Sequence, residues 1–199
     1  MALGKQSKIL SKAQTDAVTS YLGTRRHALR DQTIFLLSIK AGLRAKEIAH
    51  LQWSMVLGSD GTISDAIHLT DVASKGKGGR IIPLNKHLRS SLIQLFKQEQ
   101  RRFRFSCEMS YVITTERSDQ TSAQAVVNMF GQWYADLGLI GCSSHSGRRT
   151  FITNAAKKIT TVGGSLRDVQ ALAGHSSLAV TQRYIEGDAE ARRKIVELV

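Results

Sequence analysis

Along the first fifty residues, apolar side chains recur every three or four positions, the period of an amphipathic helix. Thr15, Val18 and Leu22 share one face of a helix expected over residues 13–22, and Ser11 stands where its cap belongs. A second, more apolar run of Ile34, Phe35, Leu36, Leu37 and Ile39 is expected to form a helix that Asp31 opens and Gly42 ends. A third helix is expected over 44–53, with Ile48 and Leu51 one turn apart on its inner side. The period then changes. Residues 62–69 and 80–84 read as short strands on either side of ASKGKGG, a turn-like run in which three glycines accompany Lys75 and Lys77. Helical spacing returns over 87–101, and another short strand is expected at 111–114. Further helices are expected at 122–137, from Ser143 or Ser144 to 158, and at 165–172, 178–184 and 189–198. Pro83 is the single proline, so few backbone breaks are imposed. The pattern describes one mainly α domain with a small antiparallel β-sheet, an α+β fold, and no internal repeat or linker interrupts it.

Length and composition agree with a packed domain: 199 residues, 42% of them hydrophobic, are enough to bury a core. The longest apolar run, broken at Ser38, is far short of the roughly 20 residues a membrane span needs. The first dozen residues hold no apolar signal region, and Cys107 and Cys142 are too few for a disulfide framework. A cytoplasmic, nucleoid-associated protein with free thiols is the expectation, and a membrane or secreted one is not. Charge changes the picture more. Lys and Arg number 28 against 16 Asp and Glu, a formal net charge of +12. So basic a folded chain points to a polyanionic partner, most often nucleic acid. Between residues 72 and 105 nine Lys/Arg meet a single acid, Glu99, which predicts a stripe able to follow phosphates.

Five local patterns carry candidate chemistry. In AGLRAKEI, Arg44 follows a helix break, where a guanidinium and free backbone amides can meet a phosphate, and Glu47 shares its helix face. A surface Arg–Glu pair explains the same two residues. Lys75 sits in the glycine-rich turn, but the order of Gly, four residues, Gly-Lys-Ser/Thr is absent, so nucleotide hydrolysis is rejected. In SHSGRR, His145 and Arg148 are three apart near a helix start, a base beside an anion clamp; a capping segment with surface arginines is the plainer alternative. His175 in LAGHSS and Tyr184, nine residues later, complete the set, although a lone His or Tyr is usually structural. Neither HxxxH nor CxxC occurs, so no metal site is expected, and no GxSxG marks a serine hydrolase.

In this order the segments AGLRAKEIAHLQW, SKGKGGRIIPL, SSHSGRRTF and LAGHSSLAVTQRYI resemble the tyrosine recombinase (phage integrase-type) family. The resemblance spans residues 11–199 as a catalytic domain. It leaves residues 1–10 as an N-terminal extension, without the separate N-terminal domain that closes around DNA in typical members. One departure is Gly147, which stands where leucine is usual in the His-x-x-Arg motif and is expected to weaken the local helix by roughly 0.5–1 kcal/mol.

The resemblance implies an enzyme that cuts and rejoins double-stranded DNA without metal or cofactor. Tyr184 would attack a phosphodiester, giving a 3′-phosphotyrosyl link and a free 5′-hydroxyl. Arg44 and Arg148 would clamp the non-bridging oxygens, His145 would serve as acid–base partner, Lys75 would protonate the leaving oxygen, and His175 would donate a hydrogen bond. Glu47 would support Arg44, while Lys77, Arg80 and Arg149 would hold the DNA backbone. A homotetramer on DNA, a monomer without it and accessory DNA-bending proteins are the implied assembly. The C-terminal segment at 189–198 would dock on a neighbour or fold back on its own core. Two rivals remain on the residues alone: a type IB topoisomerase-like nicking and resealing enzyme, which would relax siteless plasmid, and a non-cutting DNA-binding regulator, whose effect would survive Tyr184→Phe.

Overall fold

The computed structural model describes residues 7–70, 79–184 and 196–197. The chain divides into two compact units, residues 1–151 and 152–199. Among the described residues of the first unit, the expected alternation of helices and a hairpin is present. Helix α1, Lys12–Gly23, is capped at Ser11, whose side chain accepts from the Gln14 amide while Gln14 reaches back to the Ser11 N–H. Its Val18 and Leu22 are fully buried. Helix α2, Ala28–Ala41, carries the apolar run into the middle of this unit and packs on α1 and on α4, Lys86–Glu99. It starts three residues before the expected opening at Asp31. That carboxylate caps nothing: it is buried in the first turn and paired with Arg25 at 3.2 Å and Arg30 at 2.7 Å.

The third expected helix is shorter than its apolar spacing suggests. Helix α3 covers Ala45–Ala49, and a 3₁₀ turn follows at Trp53–Met55. Between them the chain is used for pairing: the Leu51 carbonyl accepts from the Val112 N–H at 2.8 Å, and the Trp53 N–H donates to Ser110 at 3.0 Å. The strand expected at 111–114 is for the same reason only an isolated bridge, Gln52 to Tyr111, because its partner turns away into the 3₁₀ turn. Helix α5, Ala123–Asp136, begins at its Ser122 cap and packs against α3.

The sheet has two strands, β1 (Ala66–Leu69) and β2 (Arg80–Pro83), antiparallel, with Ile67 opposite Ile82 and Leu69 opposite Arg80. Residues 62–65, expected as part of β1, belong to a separate turn in which Leu57 bridges Ile63 and the Gly58 N–H donates to Thr62. Residues 7–10, assigned by sequence to an extension, pack on this unit: Leu10 is buried, its N–H donates to Thr150 Oγ1 at 2.8 Å, and Ser7 Oγ lies 2.6 Å from Ser143 Oγ.

Helix α6 spans Ser146–Lys158, so the boundary between the units falls within it. In the second unit a 3₁₀ turn at Ile159–Val162 leads to α7 (Leu166–Ala173) and α8 (Leu178–Gln182), which pack on each other. Helix α8 ends two residues before Tyr184, short of the expected 178–184. The helix expected at 189–198 lies outside the described residues except at 196–197.

Candidate active site

In the first unit, the site is built around the turn that joins α2 to α3. Gly42 ends α2 with φ +66°, and a Cβ there would stand 2.5 Å from the Phe151 ring, so both the backbone and the packing call for glycine. The turn delivers Arg44 to the start of α3. Its backbone N–H donates to Glu47 Oε2 at 2.8 Å and its Nη1 to Glu47 Oε1 at 2.9 Å. The Arg44 side chain is 30% exposed, and its Nε and Nη2 make no hydrogen bond among the described residues. Arg148, one turn into α6 and 4% exposed, sends Nη1 to the Gly42 carbonyl at 2.6 Å. Two guanidinium groups therefore converge on one glycine turn, one resting on its carbonyl and one rising from the residue two further along. His145 immediately precedes α6 and is exposed; Ser143 Oγ accepts from its backbone N–H at 3.2 Å. Arg149, next to Arg148, is half-buried.

Glu47 is 1% exposed and carries a second arginine. Arg80, the first residue of β2, donates from Nη1 to Oε1 and from Nη2 to Oε2, both at 2.9 Å. Burial pushes the Glu47 carboxyl up, but the hydrogen bonds and charge of Arg80, followed by those of Arg44, outweigh it and leave it below the usual carboxylate range. The expectation that Arg80 lines a DNA-facing stripe meets a different placement: its side chain is 7% exposed and turned to Glu47. Two other members of that run, partly exposed, spend donors on the protein's own acceptors. Arg89 donates to the Ile63 and Ser64 carbonyls, and Arg102 to Thr114 Oγ1 and the Thr115 carbonyl. Lys86, Lys97, Arg101 and Arg104 remain exposed. Nine cations in sequence are thus not nine on one surface. Lys75 and Lys77 lie outside the described residues.

In the second unit, His175 and Tyr184 are brought together. Gly174 terminates α7, and His175 is then fixed from both sides of its peptide: its N–H donates to the Gln170 carbonyl and its carbonyl accepts from Gln170 Nε2, each at 3.1 Å. The His175 ring stacks on the Tyr184 ring, centroids 5.4 Å apart and planes 20° from parallel. His175 Nδ1 lies 2.9 Å from the hydroxyl of Thr181, which is fully buried. When that hydroxyl donates, the imidazole proton is on Nε2. The Tyr184 backbone is held by its own N–H on Thr181 and by Thr153 Oγ1 on its carbonyl. Thr181 was not singled out from sequence; its only mark there is a place three residues before Tyr184. Among the described residues no group of three His, Cys, Asp or Glu side chains is arranged to hold a metal, and no helix is long and apolar enough to cross a membrane.

The first unit thus carries one β-hairpin and two arginines on a single turn, and the second a tyrosine stacked on a histidine. The chain belongs to the phage integrase family, whose model matches residues 8–191. It is 28% identical over 198 residues to the tyrosine recombinase XerC of Shewanella sp. (strain ANA-3), covering 97% of this chain and 62% of that protein. It is 26% identical over 193 residues to tyrosine recombinase XerA of Thermococcus kodakarensis, with 96% and 62% covered. The chain thus spans about three-fifths of the length of these relatives. Its fold is that of the crystal structure of XerA recombinase, with TM-score 0.75 and 19% identity over 96% of this chain and 64% of that one. It is also that of the Tn1549 transposon integrase in complex with a circular intermediate DNA, with TM-score 0.72 and 18% identity over 99% and 67%.

Proposed function

We propose that the protein is a site-specific DNA recombinase that cleaves and rejoins double-stranded DNA through a 3′-phosphotyrosyl intermediate. The observation that carries this reading is the pair Arg44 and Arg148 on the Gly42 turn. In the reaction, Tyr184 Oη attacks the phosphorus and its proton passes to His145. The bond from phosphorus to the 5′-oxygen breaks, and Lys75 protonates the departing oxygen. Negative charge grows on the non-bridging oxygens, where two planar guanidinium forks hold it better than two ammonium groups. His175 adds a hydrogen bond. The phosphodiester's energy is kept in the tyrosyl ester, so rejoining to a second strand reverses the same steps. Lys77 and Arg149 are assigned to the DNA backbone. On this reading four copies act on two DNA sites, and the free protein is a monomer.

The test uses nicked oligonucleotides from the DNA flanking the protein's own gene, which trap the intermediate by losing the leaving strand. An SDS-resistant adduct is expected with the wild type and none with Tyr184→Phe. Arg44→Ala or Arg148→Ala is expected to slow its formation ~10²–10³-fold. Tight binding of these oligonucleotides with no adduct from any of them would overturn the reading.

A further inference from the structure

Glu47 is a buried carboxylate whose four acceptor sites are all taken. Oε1 receives Arg44 Nη1 and Arg80 Nη1; Oε2 receives the Arg44 N–H and Arg80 Nη2. Two of these four donors come from β2, 33 residues away along the chain. Arg44 alone gives each carboxylate oxygen one donor, Nη1 to Oε1 and the backbone N–H to Oε2, and only the first of these involves its guanidinium. The bidentate grip of Arg80 adds a second donor to each oxygen from a planar fork, bracing the carboxylate plane and with it the direction in which Glu47 presents Oε1 to the Arg44 guanidinium. Exposure separates the roles. Arg44 is partly open, as a group that meets a phosphate must be, and Arg80 is closed off. Charge agrees, since one anion between two cations leaves the cluster net positive.

We propose that Arg80 is a positioning residue for phosphate binding by Arg44, acting through Glu47 rather than contacting DNA itself. This rests on reading Arg44 as a phosphate clamp. A lysine at position 80 would reach the carboxylate as a point charge with a single hydrogen-bond direction, so it would keep the charge and lose the grip on the plane. The carboxylate must be ionised to hold Arg44, so loss of Arg80, which lets the Glu47 pKa rise, moves the loss of Arg44 order to higher pH.

The test takes the full chain as wild type, Arg80→Gln, Arg80→Lys and Glu47→Gln, with two readouts that do not depend on activity. Carbon-detected NMR titration of the Glu47 carboxyl is expected to show a higher pKa in Arg80→Gln. Nitrogen NMR of the Arg44 guanidinium is expected to show hindered rotation in the wild type, intermediate rotation in Arg80→Lys and free rotation in Arg80→Gln and Glu47→Gln. On DNA, Arg80→Gln is expected to slow adduct formation at least tenfold, to add no further loss of affinity to Arg44→Ala, and to shift the acid limb of the rate profile upward. In a Glu47→Gln background that shift is expected to vanish. Unchanged Arg44 rotation in Arg80→Gln overturns the proposal, as does a weaker Kd and smaller salt slope from Arg80→Gln in an Arg44→Ala background, the signature of a direct phosphate contact. Should Arg80→Gln fail to fold, Arg80→Lys decides by the same Arg44 rotation. If the wild type forms no adduct, the recombinase reading falls while the NMR measurements still decide the role of Arg80.

Discussion

At position 147 a missing side chain does the structural work. A Cβ on Gly147 would stand 2.4 Å from Ser38 Oγ and 3.0 Å from Ser38 Cβ, and Ser38 is fully buried with its hydroxyl unpartnered. Glycine therefore lets the first turn of α6 lie directly on α2, which seats Arg148 on the Gly42 carbonyl. This close approach is a requirement for glycine that the expected penalty in helix preference leaves out. Gly147→Leu, the residue usual in the resembling motif, is expected to lower stability by about 1–3 kcal/mol through overpacking. Gly147→Ala in a Ser38→Gly background is expected to cost less than Gly147→Ala alone, because the colliding atoms are gone. Urea unfolding of the wild type, the three single variants and the double variant checks both. Equal costs in the two backgrounds would mean that Ser38 does not set the constraint.

At the scale of elements, the side chains that matter sit at the ends of short helices. Helix α3 has five residues, α7 eight and α8 five, lengths that do not hold together in water alone. Caps and tertiary contacts keep them in place. In α7 the Ser165 N–H donates to Asp168 Oδ2 at 2.7 Å and the Ser165 hydroxyl to the same oxygen at 2.9 Å, two bonds from the cap residue that hold the start of the helix leading to His175. Ser165→Ala is expected to cost about 1 kcal/mol in thermal or urea unfolding, and no change would show that α7 is held by packing alone. Local signals of this kind were legible in the sequence. Ser11, Ser122 and Gly42 mark true helix ends because a cap is decided by residues within one turn. The misplaced boundaries share a different cause. Leu51 to Trp53 left the helical path to pair with residues 110–112, and Asp31 looked like a helix opener but answers two arginines. No local pattern reports such long-range partners.

At the scale of the whole molecule, the +12 charge predicts a polyanion but does not say which cations meet it. Arg80, Arg89 and Arg102 hold the protein's own acceptors, while Lys86, Lys97, Arg101 and Arg104 face solvent. The placing of Arg44 and Arg148 on one turn, and of His175 against Tyr184, joins residues that short sequence motifs had singled out. The inward turn of Arg80 was not legible there, since the carboxylate it answers lies on another element. Binding to duplex DNA is expected to weaken ~10²-fold or more between about 50 and about 200 mM salt. A flat response would count against phosphate contacts as the source of affinity.

The central claim is that Tyr184 becomes covalently joined to a DNA 3′-phosphate. The most direct measurement is mass spectrometry of the trapped adduct after nuclease trimming and proteolysis. The account predicts a nucleotide attached through its 3′-phosphate to the peptide holding Tyr184. Attachment at Tyr21, Tyr111 or Tyr134, or through a 5′-phosphate, would contradict it.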